Sequence, residues 1–239
     1  MLEKVIRYIE KNAQPPIEYC VEKVSKSRII ILGEDHVVAN SKRAFGAKLM
    51  PHLARSGCEC LAVEVDSSFQ PIIDNFLKGS DFERDYWFAM CPEYLAILYS
   101  ARDAGMHILC IDNFKPGNFD SEERDIFMQK VLIKALERFG CIAVWIGSWH
   151  ARKEKVKHEP KPLAAYLKKE LGKGLFSIEM ERPSFDSFHG LCELLLKANF
   201  YREFGIDIRG PLSKIAIEPS YPLYGRYGKC YDGYVYCLD

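Results

Sequence analysis

The run Arg28-Ile29-Ile30-Ile31-Leu32, closed by Gly33 and followed at once by Glu34, Asp35 and His36, constrains the fold more than any other feature of this chain. A short β-branched run that stops at a glycine fits a strand buried on both faces. In an open α/β sheet the residues just past such a strand reach its carboxyl end, where ligands bind. Glu34 and His36 are two apart, so in extended backbone their side chains share a face and can share a proton, a water or a metal.

Three further apolar runs end in ionisable groups. They are Cys60-Leu61-Ala62-Val63-Glu64-Val65-Asp66, His107-Ile108-Leu109-Cys110-Ile111-Asp112, and Ile142-Ala143-Val144-Trp145-Ile146-Gly147-Ser148-Trp149-His150. Taken singly, each ending reads as a capped turn into a helix. Set side by side in one sheet, the four collect Glu34, His36, Glu64, Asp66, Asp112 and His150 along a single rim, which is a candidate site.

Between these runs the pattern turns helical. An amphipathic helix opens the chain, Pro15-Pro16 breaks it, and a short second helix covers Ile17 to Ser25. Ser41 to Ser56 is helical with Pro51 as a kink or break; Gln70 to Lys78 and Pro92 to Ala104 follow, the latter with Gly105 just past its end. Ser121 caps a long helix to Arg138 whose first turn is acidic, a favourable end for the helix dipole. Pro162 to Leu171 is a helix and Leu175 to Met180 a strand. Pro183 to Arg209 reads as helix and loop, Lys214 to Ile217 and Tyr234 to Leu238 as strands, and Tyr221 to Lys229 as a loop over the site or a surface hairpin. Alternating β and α elements with short connections predict one α/β domain over residues 1–239, a mostly parallel central sheet flanked by helices, with the active cleft at the strand carboxyl ends.

Lys and Arg number 33 and Asp and Glu 33, so no basic field points to nucleic acid or an anionic membrane. No apolar run is long enough to span a bilayer, and the N-terminal segment carries charges throughout instead of a signal peptide's apolar core. The nine cysteines are odd in number, mostly set in apolar runs, and contain no C-x-x-C pair, which reads as reduced core thiols and an expected cytoplasmic location. Neither a G-x-S-x-G elbow nor a P-loop occurs.

Gly33-Glu34-Asp35-His36 on a first strand, Val63-Glu64 on a second, the helix Glu123-Arg124-Asp125-Ile126-Phe127-Met128, and Gly147-Ser148-Trp149-His150 after a later strand together resemble the erythromycin esterase and ChaN-like superfamily, which includes the TraB/Tiki proteins. The similar stretch runs from about Ile29 to Tyr236 and takes in Lys161-Pro162-Leu163-Ala164-Ala165-Tyr166-Leu167 and Tyr231-Asp232-Gly233-Tyr234. The resemblance implies an α/β fold whose cleft is lined by two histidines and two glutamates. It leaves the activity open: lactone hydrolysis by a histidine-activated water, metal-dependent proteolysis and haem binding all occur among such relatives. The single residue between Glu34 and His36 is closer to the ChaN type.

The residue types support hydrolysis of a small-molecule or peptide substrate. Glu34, His36, Glu64 and His150 are the catalytic candidates: His36 as general base, Glu64 or Glu34 orienting it, and His150 as second acid or oxyanion donor. The same four can instead bind a divalent metal with open positions for water. Asp66, Asp112 and Arg124 are the substrate-binding candidates, Arg124 through a substrate carboxylate or oxyanion. Haem binding is the alternative, with axial and apolar partners from the Tyr221 to Tyr227 tail, Phe114 and Phe119. Tyr86-Trp87-Phe88 reads as core packing or a pocket wall.

Overall fold

Strand β1 (Ile29–Glu34) is buried along its whole length, and its side chains divide by alternation between two cores. Ile29 and Ile31 join one hydrophobic cluster, Ile30 and Leu32 the other. That is the behaviour of a central strand covered on both faces, each isoleucine contributing about 1.5–3 kcal/mol by leaving water. The computed structural model describes residues 2–36, 40–82, 86, 91–114, 122–156, 159–182, 190–217 and 225–238.

Around β1 stand β2 (Cys60–Asp66), β3 (His107–Asp112), β4 (Ile142–Gly147), β5 (Leu175–Glu181), β6 (Phe204–Asp207) and β7 (Gly233–Tyr236). They form one sheet of seven strands in the order β3-β2-β4-β1-β5-β7-β6. Every pairing is parallel except β6 with β7. Helices α2 (Pro16–Val24), α3 (Asn40–Arg55), α4 (Gln70–Leu77) and α5 (Pro92–Asp103) cover one face through Tyr19, Phe45, Leu49, Ile73, Tyr94 and Leu98. Helices α1 (Leu2–Asn12), α6 (Glu122–Ala135), α7 (Leu163–Leu171) and α8 (Gly190–Lys197) cover the other through Val5, Ile9, Met128, Leu132, Leu167 and Leu191. The sheet is thus α/β and mostly parallel, as the alternation predicts.

The topology positions the site. β1 and β4 are neighbours, yet β1 runs on into α3 on one face and β4 into α7 on the other. The connections leave in opposite directions and open a crevice between the strand ends, the switch point where α/β proteins bind ligands. Helix α3 approaches β4 closely at Gly46, where a β-carbon would fall 2.5 Å from the Trp145 ring.

Several local expectations are corrected. Helix α3 continues through Pro51 without a break. Phe204–Asp207, expected as helix or loop, is the antiparallel edge strand, with Phe204 and Ile206 turned into the core. Lys214 to Ile217 is no strand: Gly210 at φ +57° opens a 3-10 turn over Leu212–Lys214, and only an isolated bridge from Ala216 to Arg226 follows. Of the tyrosine-rich tail, Tyr221 to Tyr224 lie outside the described residues, while Tyr227–Cys230 form helix α9 with Tyr227 in the core. Trp87, Phe88, Phe119 and the expected cap Ser121 also lie outside them.

Candidate active site

The strand ends deliver the acids. Glu34 closes β1 and Asp112 closes β3; Glu64 and Asp66 lie in the last three residues of β2. His36 follows β1 by two residues, and His150 lies in the turn after β4. Arg43 comes from the first turn of α3, Arg124 and Asp125 from that of α6. The strand ends thus bring together six of the seven residues singled out from the sequence, and the helices add the seventh, Arg124, together with Arg43 and Asp125.

Glu34 is fully buried and tied down by charge. Arg43 donates to it from Nε at 3.1 Å and Nη2 at 2.7 Å, and His36 Nδ1 lies 3.1 Å from Oε1. Burial pushes this carboxyl's pKa up, but the hydrogen bonds and charges of His36 and Arg43 outweigh it and hold it below the ordinary range. The His36 side chain is 55% exposed, with Nε2 3.4 Å from Glu64 Oε2. Hydrogen bonds to Glu34 and Glu64 raise its pKa to about 10, against a smaller opposing effect of burial. In this geometry His36 is an imidazolium at neutral pH, a proton donor where the sequence suggests a base.

Glu64 is the hub. Its Oε1 accepts from Arg124 Nη2 at 2.6 Å, and its Oε2 accepts from the Gly147 amide at 2.7 Å. His150 Nε2 stands 3.5 Å from Oε1. Burial opposes ionisation of Glu64, yet His150, His36 and Arg124 together drive its pKa far below the usual carboxylate value. His150 is anchored by Asp125, whose Oδ1 lies 2.7 Å from Nδ1 and also accepts the Leu163 amide at 2.7 Å. Burial works against the charged imidazole, but Glu64 and Asp125 raise its pKa overall. Arg124 closes Asp112 with Nε at 2.7 Å and Nη2 at 2.6 Å, so it pairs with rim acids and not with Glu123 of its own helix.

Gly147 makes this packing possible. A β-carbon there would fall 2.7 Å from His36 Nε2 and 3.3 Å from Glu64 Oε2, inside the contact distance of either atom. The glycine lets the imidazole lie across the end of β4.

A cavity of about 660 Å³ opens over these groups, lined by the charged Glu34, His36, Arg43, Glu64, Asp66, Asp112 and Arg124 and by the aromatic Phe69, Tyr94, Phe114 and Trp145. His150 is not among its lining residues; it stands behind Glu64 and acts through that carboxylate. Asp66 faces the cavity while its Oδ1 accepts the Ser68 amide at 2.8 Å, capping a 3-10 turn. Tyr86 packs edge-on against Phe69 at 5.5 Å.

Arg43 and Asp125 escape sequence reasoning. Arg43 lies nine residues beyond Glu34 in a helix start that reads as an ordinary polar turn, and only the passage of α3 over the strand end turns it back. Asp125 reads as one more acid of the first turn of α6. Its adjacency to Arg124 was the available signal.

The four residues expected as metal ligands do not fit a metal as arranged. Among the described residues no three His, Cys, Asp or Glu side chains converge on a common point, and guanidinium groups cover both glutamates. Neither His36 nor His150 has a nitrogen turned away from a carboxylate for a haem iron, while Tyr221 to Tyr224 and Phe119, expected to hold a haem, lie outside the described residues.

Fold and site define an α/β protein with an acid–base cluster at the switch point of its sheet. No family model matches the sequence, and no curated protein matches it. Solved structures do. A Bacillus cereus protein superposes with a TM-score of 0.75 at 13% identity, covering 100% of this chain and 97% of its own. A succinoglycan biosynthesis protein gives a TM-score of 0.75 at 11% identity over 100% and 97%. The type III effector HopBA1 gives 0.59 at 14% identity over 95% and 97%. At such identities the likeness is one of fold.

Proposed function

We propose that this protein is a hydrolase, esterase- or peptidase-like, of the erythromycin esterase and ChaN-like superfamily, and that its His/Glu cluster activates water without needing a metal. The observation that carries the reading is the half-exposed His36 ring, which lines the cavity and is held at Nδ1 by buried Glu34 and at Nε2 by Glu64. His36 is the proton-transfer group. In the resting state Glu34 and Glu64 together keep it charged; loosening the 3.4 Å contact to Glu64 removes one of the two and lowers its pKa, while Glu34 still holds the ring. Nε2 then takes a proton from water as the oxygen attacks a carbonyl, and returns it to the leaving group. Arg43 and Arg124, both lining the cavity, supply positive charge where the oxyanion develops. Asp125 and His150 keep Glu64 ionised and placed.

The test is turnover of a panel of activated esters and peptides, by wild type and His36→Ala, with chelator and with added Mn²⁺, Co²⁺ or Zn²⁺. Chelator-resistant turnover that falls at least about 100-fold in His36→Ala supports the reading. Turnover that appears only with metal overturns the metal-free mechanism, and no turnover under any condition overturns the hydrolase.

A further inference from the structure

We infer that the cavity takes a substrate bearing a basic nitrogen, an ammonium or guanidinium group on an apolar body, with Asp66 as its counter-ion. The inference rests on the hydrolase reading for where the scissile bond lies, though not for the binding itself.

The charges on the cavity floor are internally matched. Glu34 is closed by Arg43, Asp112 by Arg124, and Glu64 is shared between Arg124 and protonated His36. Three carboxylates face three cations. Asp66 is a fourth carboxylate in the same lining, and among the described residues no Lys, Arg or His pairs with it. Strand register sets Asp66 beside Asp112, but the guanidinium there is already committed to Asp112 and Glu64. Among the described residues, the cavity therefore carries one uncompensated negative charge at the β2 end.

Capping does not account for that charge. The turn after β2 needs one oxygen to accept the Ser68 amide, and asparagine supplies it as well as aspartate. Aromatic rings share the lining with Asp66. Phe69, from the turn that Asp66 caps, lines the cavity, and so does Phe114, whose ring already holds the Arg124 guanidinium 5.8 Å from its centroid. Ring faces and a carboxylate suit a cation carried on an apolar body, whereas an anionic ligand meets Asp66 and, among the described residues, cations already paired with Glu34, Glu64 and Asp112.

Calorimetric titration with phenethylammonium, 2-phenylethanol and phenylacetate tests this, since the three share a ring and chain length and differ in charge. Wild type should bind the ammonium about tenfold more tightly than the alcohol, and phenylacetate least. Asp66→Asn, which keeps the cap, should erase the difference. Should that variant fail to fold, the wild-type preference must still shrink when ionic strength is raised to about 0.5 M. Equal binding of ammonium and alcohol, no binding of the ammonium, or a preference that survives in Asp66→Asn overturns the inference. Ammonium preference without turnover would sink the hydrolase reading alone; turnover without that preference would sink the cation site alone.

Discussion

The carboxyl edge of the sheet buries carboxylates in two places, with opposite partners. At the ends of β1 and β2, Glu34 and Glu64 face guanidinium and imidazole groups under an open cavity. At the end of β5, buried Glu181 accepts hydrogen bonds from the Tyr227 and Tyr234 hydroxyls, both at 2.6 Å. Burial, and then the charge of Glu181, pushes both phenols' pKa values well up, so they remain proton donors across the physiological range. The His36 imidazole, raised to about 10, still gives up its proton below the range to which burial and Glu181 push the phenols. The first cluster is built to change state and the second to staple β5, β7 and α9 together. Tyr231 links them, donating to the Ser148 carbonyl at 3.1 Å in the turn that carries His150.

The sharpest way to break this contrast is to disable one member of each cluster. His36→Ala should lower kcat/KM at least about 100-fold. Tyr234→Phe should leave kcat/KM of the folded protein unchanged, and comparable losses in both would erase the distinction.

A pH profile sharpens it further. Because a base must shed its proton first, kcat/KM should climb with pH until it levels near the His36 value of about 10. Glu64→Gln removes one of the two carboxylates that hold that proton, so whatever activity survives should level off at least about one unit lower. A flat profile from pH 6 to 10 would show that His36 is not the group being titrated.

Gly147→Ala should act through displacement. Its methyl would intrude on His36 Nε2 at 2.7 Å, and an imidazole moved off line should cost about tenfold in kcat/KM. Little change would mean the ring is not held where its function requires.

On stability the order reverses. Tyr234→Phe leaves a buried carboxylate oxygen short of a donor, which should cost about 1–3 kcal/mol in urea unfolding. His36 should contribute much less. Its pKa is raised on folding, so its stabilising effect is complete below the ordinary histidine pKa of about 6.5 and disappears as pH rises through about 10. With the ring half-exposed, solvent screening keeps this under about 1 kcal/mol. Unfolding free energies of wild type and His36→Ala at pH 6 and pH 10 should converge at the higher pH; a constant gap would contradict the ion-pair account.

The legible parts of the molecule were the ones encoded locally. Four apolar runs marked β1 to β4 because a strand covered on both faces must be apolar throughout, and the acids that interrupt those runs marked the rim. Edge strand β6 was less legible, since it is short and its second residue, Gly205, lets Tyr19 cover that face in place of an apolar side chain; Lys214 to Ile217 has a better strand pattern but follows Gly210 into a 3-10 turn.

What the sequence by itself determined is the order of strands and helices and which acids and histidines end them, because burial and side-chain alternation are properties of consecutive residues. Tertiary structure alone decided the partners. Arg43 reaches Glu34 because α3 crosses the end of β1, and His36 reaches Glu64 because β4, inserted between β1 and β2, ends in a residue with no side chain. Those contacts set the charge on His36, since a pKa follows from the groups within a few ångströms, whatever their distance along the chain.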